Sequence, residues 1–238
     1  MKTARLLAAL LVATTLPVAA QAQLLDTRGV AQVRAGMPAQ CRTPLAVQSD
    51  IRRPPTRVTR HLSSQIMSAF SADMPPSRTG TRSPDGHHLR GLAYWLLGFD
   101  VAVVINEIRQ GETACVYIPE AKISAGHTPP IIWIHPDLRA GTCEYRVTMD
   151  HERQHIANYH AHLDRFRSGV TRHLATTFAG GLFMAGAPRE IPFMRERVKA
   201  RLMEAVSDIH DASRRIADRQ DAAMDTPANY RRLSRICR

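Results

Sequence analysis

His151, Glu152 and His155 stand in the order His-Glu-x-x-His (HERQH). On an α-helix, side chains four positions apart share a face one turn apart, so the two imidazoles could each donate a nitrogen to a single Zn²⁺. Glu152 would lie about 100° around that helix. From there its carboxylate could reach a water on the metal without being a ligand, which is where a general base belongs. With 11 histidines in 238 residues, chance supplies about 0.02 such motifs, so the spacing carries information. A catalytic zinc also needs a third protein ligand and an open position for water.

The elements that must position these side chains can be read from periodicity. After Gly141-Thr142 the apolar residues Val147, Ile156, Tyr159, Leu163, Phe166 and Val170 fall on one helical face, with Thr142 as N-cap and Glu144 favourable in the first turn. Gly180-Gly181 and Pro188 mark a break. A second long helix is expected from about 192 to 223, with Val198, Leu202, Val206, Ile209, Ser213 and Ile216 inward. Asp225-Thr226-Pro227 reads as the cap of a short last helix.

Upstream, the runs 91–99, 101–108, 114–123 and 131–135 are rich in Val, Ile, Trp and Tyr and are separated by Gly or Pro, as strands are. The turn at Gln110-Gly111 favours antiparallel pairing. A short helix is expected over 61–72, followed by a long loop to Gly86. Residues 23–60, interrupted by Arg52-Arg53-Pro54-Pro55, read as a loosely structured arm. The fold class is therefore α+β: a small antiparallel sheet beside the His-Glu-x-x-His helix and a second, antiparallel helix, in one domain spanning 61–238.

The chain begins with a basic Lys2 and Arg5, an apolar run from 6 to 16 and a small-x-small Ala20-Gln21-Ala22, the layout of a signal peptide over 1–22. Export would place the protein in the periplasm or outside the cell. There Cys41, Cys115, Cys143 and Cys237 read as two disulfides. Four cysteines allow three pairings; the expected one joins Cys115 to Cys143, across the sheet-to-helix segment, and Cys41 to Cys237. The formal net charge is +11, almost all of it arginine. These arginines are spread along the whole chain, which speaks against nucleic acid as a partner and for a solvated basic surface with some attraction to anionic envelope polymers. No apolar run is long enough for a membrane span.

The motif in this setting resembles the zincin metallopeptidases, and more narrowly the bacterial secreted proteins predicted to be zinc-dependent proteases. The resemblance covers the layout from about residue 52 to 238 and is specific over 143–155. It implies zinc ligation by His151 and His155, and an acid/base role for Glu152. It thereby implies an exported zinc metallopeptidase that hydrolyses peptide or protein substrates in the cell envelope through a zinc-activated water. The segment 220–226 (QDAAMDT) departs from the His-Gly-terminated one of that group.

The third ligand stays open. The metzincin position holds Ala161, and His162 lies about 10 Å along the helix from His155. Glu204-Ala205-Val206-Ser207-Asp208 resembles the Glu-x-x-x-Asp helix of the thermolysin-like enzymes, but its phase sets Glu204 among charged residues. His210 flanks the apolar stripe of the second helix. It is favoured if the two helices turn back on each other near 177–190, because residues near 211 then oppose His155. Asp211, Asp221, Asp225 and Glu190 are the remaining candidates. The rival function is a non-catalytic, arginine-rich envelope-binding protein with a structural or vestigial metal site, and Glu152 separates the two, since a pure metal-binding helix does not need it.

Overall fold

The computed structural model describes residues 38–61, 90–96 and 98–238. The signal-peptide segment 1–22 and nearly all of the helix expected over 61–72 lie outside the described residues.

The strands are β1 (Ala46–Ile51), β2 (Arg57–Thr59), β3 (Gly91–Tyr94), β4 (Phe99–Gln110), β5 (Thr113–Ala125), β6 (Ile131–Ile134) and β7 (Leu182–Gly186). The helices longer than two turns are α1 (Cys143–Gly169), α2 (Ile191–Met224) and α3 (Pro227–Arg235). The architecture is α+β, as the periodicity implies. The β4–β5 hairpin pairs Gln110 with Thr113, and Gly111 takes φ 58° in its turn, a left-handed conformation that glycine adopts without steric cost. β5 is the centre of one sheet, paired antiparallel with β4 and β7 and parallel with β1. β6 is the centre of a second, paired antiparallel with β3 and parallel with β2.

Two expectations change here. Residues 46–51 and 57–59, read as part of a loose arm, are strands in the two sheets, so both sheets are mixed rather than purely antiparallel. Residues 182–186, read as part of a break, form β7 against β5.

Thr142 caps α1 as expected, its side chain accepting from the Tyr145 amide at 3.3 Å. α1 buries Met149, Ile156, Tyr159, Leu163 and Phe166 into one core with Ile118, Ile123, Ile132 and Ile134 of the sheets and Val198, Leu202 and Val206 of α2. The two long helices are antiparallel. His155 meets Asp221 and His162 meets Ser213, while a Cβ on Gly169 would stand 2.4 Å from Ile209 Cγ2. Glycine at 169 is thus what lets the helices approach at that end.

The disulfides are Cys41–Cys115 and Cys143–Cys237, not the pairing expected. The reason lies in the helix pair: because α2 runs antiparallel to α1, its end returns to the start of α1, and α3 delivers Cys237 to Cys143. With the partners 74 and 94 positions apart in sequence, the bridges each stabilise by roughly 4–5 kcal/mol on a chain-entropy account. Two disulfides fit an oxidising, non-cytoplasmic environment. Among the described residues no helix is long and apolar enough to cross a membrane.

Candidate metal centre

His151 and His155 project from one face of α1, and their Nε2 atoms are 3.3 Å apart. Asp225, the residue that ends α2, places Oδ1 3.1 Å from His151 Nε2 and 3.2 Å from His155 Nε2. The three side chains are 6%, 7% and 8% exposed. Among the described residues these three form the one group of histidines, cysteines and carboxylates close enough to hold a metal ion.

The triangle can be tested against coordination geometry. A tetrahedral ion with bonds of roughly 2.0–2.1 Å has ligand-to-ligand edges of about 3.3 Å. The three edges, 3.1, 3.2 and 3.3 Å, lie at or just below that length. Two nitrogens and one carboxylate oxygen also suit a divalent transition metal.

The tautomers agree with this fit. His155 Nδ1 lies 3.0 Å from Asp221 Oδ1, and the same oxygen accepts from Asn158 Nδ2 at 2.7 Å. A carboxylate only accepts, so Nδ1 carries the proton and Nε2 is left for the centre. Asp221 is 1% exposed, and among the described residues its Oδ2 has no hydrogen-bond partner.

Without a cation the triangle is crowded with groups that compete for protons. Burial disfavours charge on His155, yet its hydrogen bonds to Asp221 and Asp225 and the negative charges of Glu152 and Asp225 outweigh this and raise its pKa to about 10. Burial likewise opposes charge on Asp225, but hydrogen bonds from His151, His155 and Tyr230 hold its carboxyl well below the usual carboxylate range.

Glu152 is 5% exposed and belongs to the same pocket, but not to the triangle. Burial raises its pKa, against the opposing effect of His155, His151 and a hydrogen bond from the Ala93 amide. The pocket is walled by Gly91, Leu92, Ala93 and Trp95 on one side, and by Glu152, His155, Asp221, Asp225 and Tyr230 from the helices. The space between them, about 10 Å³, holds roughly one water molecule. Trp95 is buried, as expected of a core residue, and also lines this space.

His210 is not with the pair. It is buried as its phase implies, but against Phe99, Phe166 and His162, and it lies about 16 Å along α2 from Asp221. The correction is one of register: residues 182–186 are spent on β7 before α2 begins, so Asp221 rather than residue 211 opposes His155. His162 is 1% exposed and bonds Ser213 Oγ through Nδ1 at 2.9 Å. Glu204 is exposed. Glu190 caps the turn before α2, accepting from the Ala187 amide at 2.9 Å, and Asp211 is largely exposed beside His210.

In the sequence Asp221 and Asp225 stand among several candidate ligands, although their i, i+4 spacing repeats that of His151 and His155 and singles them out. Tyr230 carries no such signal. Its hydroxyl donates to Asp225 Oδ1 at 2.6 Å and stands 3.3 Å from His151 Nε2.

Comparison with protein-family models, with curated proteins and with solved structures finds no match to the chain.

Proposed function

We propose that the chain is an exported zinc metallopeptidase of the zincin kind, with His151 Nε2, His155 Nε2 and Asp225 Oδ1 as the ligands and Glu152 as the general base. The observation that carries this reading is the place of Glu152. It is buried in the pocket that the ligand triangle borders, opposite the β3 backbone and outside the triangle itself. A site built only to store or be braced by a metal has no use for a buried, ionisable carboxyl of raised pKa that ligates nothing there.

A zinc ion in this triangle would supply a Lewis acid and bring a water's pKa to about 7. Glu152 would take a proton from that water as the water oxygen adds to the peptide carbonyl carbon, and would pass the proton to the amine nitrogen as the C–N bond breaks, leaving a carboxylic acid and an amine. Asp221 keeps the His155 ring from turning, through the Nδ1 hydrogen bond. The apolar wall of Leu92, Ala93 and Trp95 excludes bulk water, so that these charges act in a low dielectric.

Export is supported by the two disulfides and by the leader-like order of residues 1–22. The substrates are then peptides or proteins of the cell envelope, and the arginine-rich surface favours anionic polymers there.

The test is zinc content and peptide hydrolysis in the wild type and in Glu152→Gln. The variant keeps size and hydrogen bonding but loses basicity, so zinc stays bound while hydrolysis falls by roughly 10²-fold or more. Equal hydrolysis by the variant contradicts the mechanism even if zinc is present. Zinc without hydrolysis in the wild type favours the non-catalytic envelope-binding reading.

A further inference from the structure

Asp225 is poorly placed to be a ligand by its backbone alone. It is the residue where α2 ends, with φ −87° and ψ 40°, and Thr226-Pro227 follow it into a new helix. Its side chain is nonetheless only 8% exposed, so the groups bonded to the carboxylate, and not the helix backbone, aim it.

We propose that Tyr230 is that positioning residue: its hydroxyl, donated to Asp225 Oδ1, sets the carboxylate in register with the two imidazoles and so sets the affinity of the metal centre. This rests on reading the His151–His155–Asp225 group as a metal centre.

Three observations support it. The Tyr230 oxygen is 2.6 Å from Asp225 Oδ1, the length of a charge-assisted O–H···O⁻ bond, and well short of the edge of about 3.3 Å that separates two ligands of one tetrahedral ion. The phenol is therefore a donor to the ligand and not a fourth ligand. Secondly, a carboxylate oxygen has two lone-pair directions; with one occupied by the hydroxyl, the other is left toward His151 and His155. Thirdly, α3 carries Tyr230 on a fixed base. Thr226 Oγ1 accepts from the Asn229 amide at 3.2 Å, Asn229 Nδ2 donates to the Met224 carbonyl at 2.8 Å, and Cys237 is bonded to Cys143 at the start of α1. The helix is thus tied to the end of α2 and to the helix that bears the histidines.

Tyr230→Phe, made in the full chain, removes one oxygen and keeps the ring. Zn²⁺ affinity measured by chelator competition should fall 10- to 100-fold, the range seen when a group holding a metal ligand is lost, and the visible spectrum of the Co²⁺-loaded protein should change. If Tyr230 acts through Asp225, the double variant Asp225→Asn/Tyr230→Phe binds Zn²⁺ no more weakly than Asp225→Asn alone. The Cu²⁺-loaded wild type should show no tyrosinate-to-copper charge-transfer band.

Unchanged affinity and an unchanged Co²⁺ spectrum in Tyr230→Phe overturn the proposal, as do additive losses in the double variant. A charge-transfer band in the wild type that vanishes in Tyr230→Phe overturns it in favour of direct ligation. A wild type that binds no Zn²⁺ removes the metal centre itself, and the inference with it. Circular dichroism of the metal-free variants separates a local loss from unfolding. Should Tyr230→Phe prove unfolded, the Cu²⁺ spectrum of the wild type and the affinity of Asn229→Ala, which frees the base of α3 without touching the phenol, decide the matter by the same criteria.

Discussion

Gly91 and Glu152 are in mutual contact: a Cβ at position 91 would stand 2.9 Å from both Cγ and Oε1 of Glu152, and 2.7 Å from Thr148 Cγ2. The strand β3 can therefore lie against the His-Glu-x-x-His helix only where it lacks a side chain, and from there Gly91, Leu92 and Ala93 wall the pocket that Glu152 faces.

Gly91→Ala should consequently strike the base and spare the metal. Shifting a catalytic group by about 1 Å costs roughly 10²-fold in rate, while none of the three ligand side chains is among the nearest neighbours of the added methyl. Zinc titration should leave affinity within about twofold of wild type, and hydrolysis should fall. Loss of zinc together with activity would show that the strand supports the whole site rather than Glu152.

Asp221 makes the opposite prediction. It lies outside the His151–His155–Asp225 triangle, but it carries the hydrogen bonds of His155 Nδ1 and Asn158 Nδ2. Asp221→Ala leaves Asn158 buried and short of a partner, costing about 1–3 kcal/mol of stability, and lets the His155 ring turn, costing about 10- to 100-fold in zinc affinity. Thermal unfolding and chelator competition measure the two separately. An affinity equal to wild type would mean that packing alone orients His155.

The metal-free protein should be sensitive to alkali. His155 has an ordinary value of 6.5 and is raised to about 10 in the folded chain, so the folded form binds a proton that the unfolded form releases. That stabilisation is complete below pH 6.5 and is lost as pH rises through about 10. Melting temperatures of metal-free protein should fall across this window, and those of zinc-loaded protein should not follow them. Zinc must displace the proton, so calorimetry near pH 7.5 in two buffers of different ionisation enthalpy should report about one proton released per ion. No proton release would contradict coordination through His155.

How much of this was legible in the sequence follows from how local each signal is. The Thr142 cap, the extent of α2 and the β4–β5 hairpin are set by neighbouring residues, and the structure has them where the periodicity puts them. β1 is not legible because its residues alternate poorly and its partner β5 lies about 70 residues away; the information that makes Ala46–Ile51 a strand sits in the edge it completes. The burial of His210 was legible from its phase on α2. Its distance from His155 was not, since the register of two helices depends on everything between them, and five of those residues pair with β5. The same slip concealed Asp225, and with it the cysteine pairing, because both follow from where α2 ends relative to the start of α1.

The most direct test of the central claim is X-ray absorption at the zinc edge on zinc-loaded wild type and on Asp225→Ala and His210→Ala. The account predicts two imidazole nitrogens with light oxygen ligands at about 2.0–2.1 Å in the wild type, an unaltered first shell in His210→Ala, and loss of bound zinc or of one oxygen in Asp225→Ala. A wild-type shell that loses an imidazole in His210→Ala, or that is unchanged in Asp225→Ala, would contradict it.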